Sequence, residues 1–191
     1  MMFSLRSLPF LSVLFLTSAL PAAAQDDKVP FDSKELDAQV AAATRVKLFE
    51  PAPDFTCRTT DGREFKLSAY RGKIVVLYFF ATSVPSSLRE MREIDQEIVQ
   101  KLRDRDDFAI LGIGRGHTRE EVVKAGGENK VTFPLASDPD KQCYGLYFSK
   151  YVPRIVVVRK DGQIAHLASG HNEMKGIEKL QVVLKRELEL R

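Results

Sequence analysis

Residues Ile74–Phe80 are apolar without a break. A strand covered on both faces reads this way, because neither face meets water. Phe108–Ile113 and Arg154–Arg159 predict two further buried strands. Between them the period changes. Leu88, Met91, Ile94, Ile98 and Leu102 recur at helical spacing and predict a helix from Leu88 to about Arg105. Thr118-Arg119-Glu120-Glu121 is a capping box that opens another helix, which stops near Gly126-Gly127. Val131–Leu135 reads as a brief extended segment and Asp138–Phe148 as helical. Asp161-Gly162 turns the third strand into Gln163–Ala168. A last helix is expected from Glu173 to Leu190, with Ile177, Leu180, Val183 and Leu184 on its apolar side.

The N-terminal half has a different texture. Asp32-Ser33-Lys34-Glu35 has the form of a capping box, and Leu36, Val40, Ala43 and Val46 or Leu48 follow at helical spacing. The spacing predicts a short amphipathic helix over 33–47, closed by Pro51 and Pro53. Phe55 and Cys57 then alternate with Asp54 and Thr56, as in a half-buried strand. Asp61-Gly62 is a hairpin turn signal, with Phe65 and Leu67 on the return strand. Strands alternating with helices, then a hairpin and a final helix, argue for an α/β sheet covered on both faces.

Residues 1–24 read as a secretory leader. Arg6 supplies the positive region, Leu8–Leu20 is an apolar run, and Ala22-Ala23-Ala24 is a small-residue cleavage site ahead of Gln25. The run falls short of the roughly 20 residues that a membrane span needs. The expected product is periplasmic or secreted, with no membrane span after cleavage. A polar segment and short helix at 25–49 then precede one domain at 50–191. The formal net charge of +3 includes Arg6, and basic residues are interleaved with acidic ones. That pattern excludes an obvious nucleic-acid partner.

Several linked segments resemble the redoxin branch of the thioredoxin superfamily, the TlpA-like and AhpC/TSA-like exported proteins. Pro53-Asp54-Phe55 with the Asp61-Gly62 turn is similar to the family's opening hairpin. Phe79-Phe80-Ala81-Thr82 is similar to the strand end before the catalytic loop, and Leu88-Arg89-Glu90-Met91 to the helix after it. Val152-Pro153 before an apolar strand resembles the family's cis-proline site. The resemblance covers roughly 50–188. It implies a thioredoxin-like α/β fold, a central mixed sheet flanked by helices, with an N-terminal β-hairpin extension.

The resemblance also locates a loss. Its loop carries Cys-x-x-Cys, and here Val84 and Ser87 stand at the two cysteine positions. In such an enzyme the first sulfur is held as thiolate at a helix N-terminus, and the second releases the product. Val84 has no ionisable group, and the Ser87 hydroxyl forms no disulfide. Ser87, with Glu90 three residues on, reads instead as a helix cap, and Ser86 as an alternative. The expected site is therefore a peptide or protein groove formed by Ser83, Val84, Pro85, Ser86, Ser87, Val152, Pro153 and Arg154, with no chemistry of its own. Arg154 is expected beside the groove, where its charge would favour an acidic partner. The partner itself is unknown.

The two cysteines, Cys57 and Cys143, leave three readings open: buried small hydrophobes, a structural disulfide, or a relocated redox pair that makes the protein an active thiol oxidoreductase or peroxidase. A disulfide between them would be worth roughly 4–5 kcal/mol in the chain-entropy model. His117, His166 and His171 show no close ligand spacing with either cysteine, so no metal and no other cofactor is expected. Serine hydrolase chemistry at Ser87 would need a base such as His117, and no Gly-x-Ser-x-Gly elbow is present. Gly112, Gly114 and Gly116 miss the dinucleotide-loop pattern because His stands at 117. They read as residues that let the chain turn off its strand.

Overall fold

A computed structural model describes residues 33–169 and 173–189. The leader, its cleavage site, Asp32 and His171 lie outside the described residues. No helix among the described residues is long and apolar enough to cross a membrane.

Helix α1 spans Ser33–Ala42, five residues short of the predicted end. The prolines do not stop it. Beyond Ala42 the backbone is diverted into tertiary bonds. Arg45 N–H donates to the Tyr147 carbonyl at 2.9 Å, and Ser149 N–H to that of Ala43 at 2.9 Å. Strands β1 (Thr56–Arg58) and β2 (Glu64–Lys66) pair antiparallel around the Asp61-Gly62 turn, with Cys57 opposite Phe65. Gly62 has φ +92°, the left-handed value such a turn requires. A 3-10 turn at Leu67–Tyr70 leads into the sheet.

The sheet contains β3 (Ile74–Phe80), β4 (Phe108–Arg115), β5 (Leu135–Asp138), β6 (Arg154–Val158) and β7 (Ile164–Ser169), in the order β5-β4-β3-β6-β7. The pairs β3–β4 and β4–β5 are parallel, and β3–β6 and β6–β7 antiparallel. β3 is central, and all seven of its residues are buried. Its alternate residues serve two cores. Ile74, Val76, Tyr78 and Phe80 pack with Met91, Ile94, Leu180 and Leu184. Val75, Leu77 and Phe79 pack with Phe55, Phe65, Tyr147 and Phe148. Each buried side chain of this size contributes roughly 1.5–3 kcal/mol, so the two-sided run both predicts the strand and stabilises it.

Helix α2 covers Pro85–Ile94, continues as a π-helical stretch over Asp95–Val99, and ends in α3 (Gln100–Leu102). Asp95 is buried in that wide turn, and its carboxylate accepts from Thr132 N–H and Oγ1, both at 2.7 Å. The capping box at Thr118 and Glu121 opens α4 (Arg119–Glu128) as predicted. The segment after it is shifted from the expectation. Leu135–Asp138 is the strand, and the next helix, α5, is only Gln142–Tyr147. Asp138 explains the shift: it is buried at the strand end and accepts from Cys143 N–H at 3.2 Å and Tyr144 N–H at 2.8 Å. Helix α6 spans Glu173–Glu187.

Candidate functional site

The chain leaves β3 at Phe80 and makes a tight turn, with Val84 N–H donating to the Ala81 carbonyl at 3.2 Å. Val84 is extended (φ −109°, ψ 105°) and is the residue immediately before α2. Pro85 occupies the first helical position, where its fixed φ suits the helix and its missing N–H costs nothing. The helix therefore starts before Ser86 and Ser87, and neither is its cap, contrary to the sequence reading. Ser87 is fully buried. Its Oγ lies 3.5 Å from Ala81 N–H, and its carbonyl accepts the Tyr78 hydroxyl at 2.6 Å. Burial and nearby Glu90 push the Tyr78 phenol well above its ordinary range, so it remains a donor. Ser83 and Pro85 are exposed, and Val84 and Ser86 half-buried.

His117 closes the loop from the other side. Its Nε2 accepts from Thr82 N–H at 3.0 Å, and its Nδ1 lies 3.3 Å from Glu121 Oε2. Because Nε2 is an acceptor here, the hydrogen-bond network assigns the proton to Nδ1, facing the carboxylate. Glu121 Oε2 also accepts from Thr118 N–H at 2.8 Å, and this bond, with the one to His117, holds the carboxyl below its ordinary range. The imidazole lone pair is thus committed to the backbone of the loop. It does not serve Ser87, and the hydrolytic dyad is not assembled. The sequence marked Glu121 only as a capping residue. Its second role, orienting His117 one helical turn away, was legible only in the four-residue spacing.

The Val152–Pro153 peptide is cis. Phe79 pairs with Arg154 across β3 and β6, so Pro153 lies at the sheet end where the loop begins. Pro153 is buried and Val152 half-buried. Arg154 corrects the sequence reading. Its side chain is 2% exposed and lies on the opposite face from α2, where Nη2 donates to Thr44 Oγ1 at 2.5 Å. Its guanidinium carbon sits 4.1 Å from the centroid of Phe148. Strand alternation sets that direction, because Arg154 shares a face with Val156 and Val158 rather than with Ile155 and Val157. Burial lowers its pKa to about 10. Nε and Nη1 are buried with no hydrogen-bond partner among the described residues.

Cys57 and Cys143 come from β1 and the first turn of α5, yet the structure brings them together. Both are free thiols, Cys57 half-buried and Cys143 buried. Thr59 bridges Ala136 and Thr60 N–H donates to the Leu135 carbonyl at 2.7 Å, so β1 runs beside the end of β5, where Asp138 holds Cys143. The Cys143 side chain lowers the Cys57 pKa, against burial and the nearby Asp138 carboxylate, whereas Cys57, burial and Asp138 all push Cys143 up. They are not bridged.

The glycines of β4 have a reason other than turning. A Cβ on Gly112 would lie 2.5 Å from Leu135 Cδ2, and one on Gly114 would lie 2.4 Å from Val122 Cγ2. They allow α4 and β5 to pack close to β4. Only Gly116, with φ +71°, serves the turn. Among the described residues, no group of three or more His, Cys, Asp or Glu side chains is placed to hold a metal ion.

Comparison with known proteins agrees with this architecture. The profile of the AhpC/TSA family matches residues 49–167. The thiol-disulfide oxidoreductase ResA of Geobacillus thermodenitrificans is 28% identical over 127 residues, which are 66% of this chain and 72% of that protein. The solution structure of a candidate protein disulfide isomerase from Bacteroides thetaiotaomicron superposes with a TM-score of 0.72 at 32% identity, covering 76% of this chain and 93% of that one. A thiol:disulfide interchange protein from Chlorobium tepidum, at 20% identity and TM-score 0.61, shares the fold over 75% of this chain and 98% of its own. The fold is thioredoxin-like, and the chain belongs to the AhpC/TSA family.

Proposed function

We propose that the protein is exported and binds an extended peptide or protein segment at the Ala81–Ser87 loop and the Val152–Pro153 turn, without disulfide exchange at that loop. The observation that carries this reading is a loop without sulfur between β3 and α2, at the same sheet end as the cis Val152–Pro153 turn. Val84 is the residue at the helix tip and Ser87 is sealed beneath it. Neither can form a disulfide. The exposed Ser83 and Pro85, with half-buried Val84 and Ser86, offer an apolar and hydroxylic surface. The secretory pattern of residues 1–24 supports export. With Arg154 turned into the opposite core, an acidic partner is no longer favoured by that residue.

The test pairs a disulfide-reduction assay with amide NMR titration against extended peptides. Shifts confined to Ser83–Ser86 and Val152, abolished by Val84→Asp, are the expected result. Reduction of a disulfide substrate that survives Cys57→Ser and Cys143→Ser together would overturn this reading.

A further inference from the structure

We infer that Cys57 and Cys143 form a second, thiol-bearing site, away from the loop, that closes reversibly into an intramolecular disulfide by exchange with a protein or small-molecule disulfide. The inference goes beyond the loop reading and stands or falls separately from it.

Three observations carry it. First, the fold brings the two cysteines to one place although they are distant in sequence: the Thr59–Ala136 bridge sets β1 beside the end of β5, Asp138 at that end holds Cys143 N–H at 3.2 Å, and Cys57 packs against the core that contains Cys143. Second, the elements that carry them differ in how they are held. Cys57 lies in the two-stranded hairpin β1–β2, outside the five-stranded sheet. Cys143 is pinned by its own N–H to buried Asp138. Third, the two thiols are unequal. Cys57 is the more exposed, which marks it as the attacking sulfur. Cys143 is buried and marked as the resolving one.

The exchange runs in two steps. The Cys57 thiolate attacks one sulfur of the disulfide R–S–S–R′, forming Cys57–S–S–R and releasing R′–S⁻, which takes up the proton that Cys57 lost. Cys143 then gives up its proton, attacks Cys57 Sγ and displaces R–S⁻, which is protonated in turn. The two cysteines are oxidised by two electrons to one disulfide, and R–S–S–R′ is reduced to two thiols. In the reverse direction an external dithiol restores the pair.

The experiment treats the purified wild-type protein, Cys57→Ser and Cys143→Ser with glutathione disulfide, followed by mass spectrometry with peptide mapping. The wild type is expected to lose two hydrogens, retain no glutathione and show a Cys57–Cys143 cross-link within one chain. Cys143→Ser should trap a glutathione adduct at Cys57, about tenfold faster than Cys57→Ser gains one at Cys143. The inference is overturned if the folded wild type keeps both thiols across glutathione redox buffers, or is oxidised only between chains. It is also overturned if Cys143 reacts first. Mapping of the wild type alone decides the cross-link should either variant fail to fold.

Discussion

His117 Nε2 accepts the backbone N–H of Thr82 at 3.0 Å, tying the end of β4 to the loop that follows β3. A side chain that elsewhere would be read as a base is spent on holding a loop in place. Replacing it removes the acceptor of that half-buried N–H, which costs roughly 1–2 kcal/mol. His117→Ala should therefore unfold at lower denaturant and exchange the Thr82 amide faster than its neighbours in α2. An unchanged Thr82 exchange rate would show that the bond does not hold the loop.

The proposed degenerate loop can be tested by restoring its sulfurs. Val84 stands at the N-terminus of a ten-residue helix, the end at which the helix dipole favours negative charge. Introducing Val84→Cys and Ser87→Cys together, in a Cys57→Ser, Cys143→Ser background, should give insulin disulfide reductase activity driven by dithiothreitol. A folded variant with no activity over background would mean that the loop geometry is not that of the family's enzymes.

Arg154 tests how a buried charge is tolerated. Its pKa falls from the ordinary 12.5 to about 10 through burial, so the charged form is penalised in the folded state by a few kcal/mol. Arg154→Met keeps much of the volume and removes that penalty, at the expense of the bond to Thr44 and the contact with Phe148. The expected stability at pH 7 is equal to or up to about 2 kcal/mol above wild type. A loss of more than about 2 kcal/mol in chemical denaturation would contradict the penalty.

His166 predicts a pH dependence. Burial first, then Lys179 and Arg186, lower its pKa below the ordinary 6.5, and its Nε2 is buried without a hydrogen-bond partner among the described residues. The unfolded chain takes up the proton near pH 6.5 while the folded chain resists it, so the unfolded state binds more protons. Stability is therefore lost as pH falls through 6.5 and levels off below the folded value. The lowered carboxylates Asp54, Asp61, Asp107 and Glu121 titrate below this window. Urea unfolding of wild type and His166→Gln at pH 7.5 and 5.5 should show the larger fall in the wild type. Equal falls would assign the effect to other groups.

The sequence by itself determined the elements whose signals are local. The apolar run of β3, the Thr118 capping box and the Asp61-Gly62 turn each depend on residues within one element, and each is where the pattern put it, whereas the helical stripe of Leu88–Leu102 is divided among α2, a π-helical stretch and α3. The cysteine-free loop is likewise a sequence fact. Tertiary structure decided what depends on register and distant contact. Helix α1 ends early because α5 supplies better partners for its last residues, and β5 sits where buried Asp138 can cap α5. Arg154 turns into the core because one step along a strand reverses the face. The Cys57–Cys143 contact is the strongest case. No local pattern marks it, because the hairpin and α5 meet only once both have packed onto the face of the sheet that carries Val75, Leu77 and Phe79.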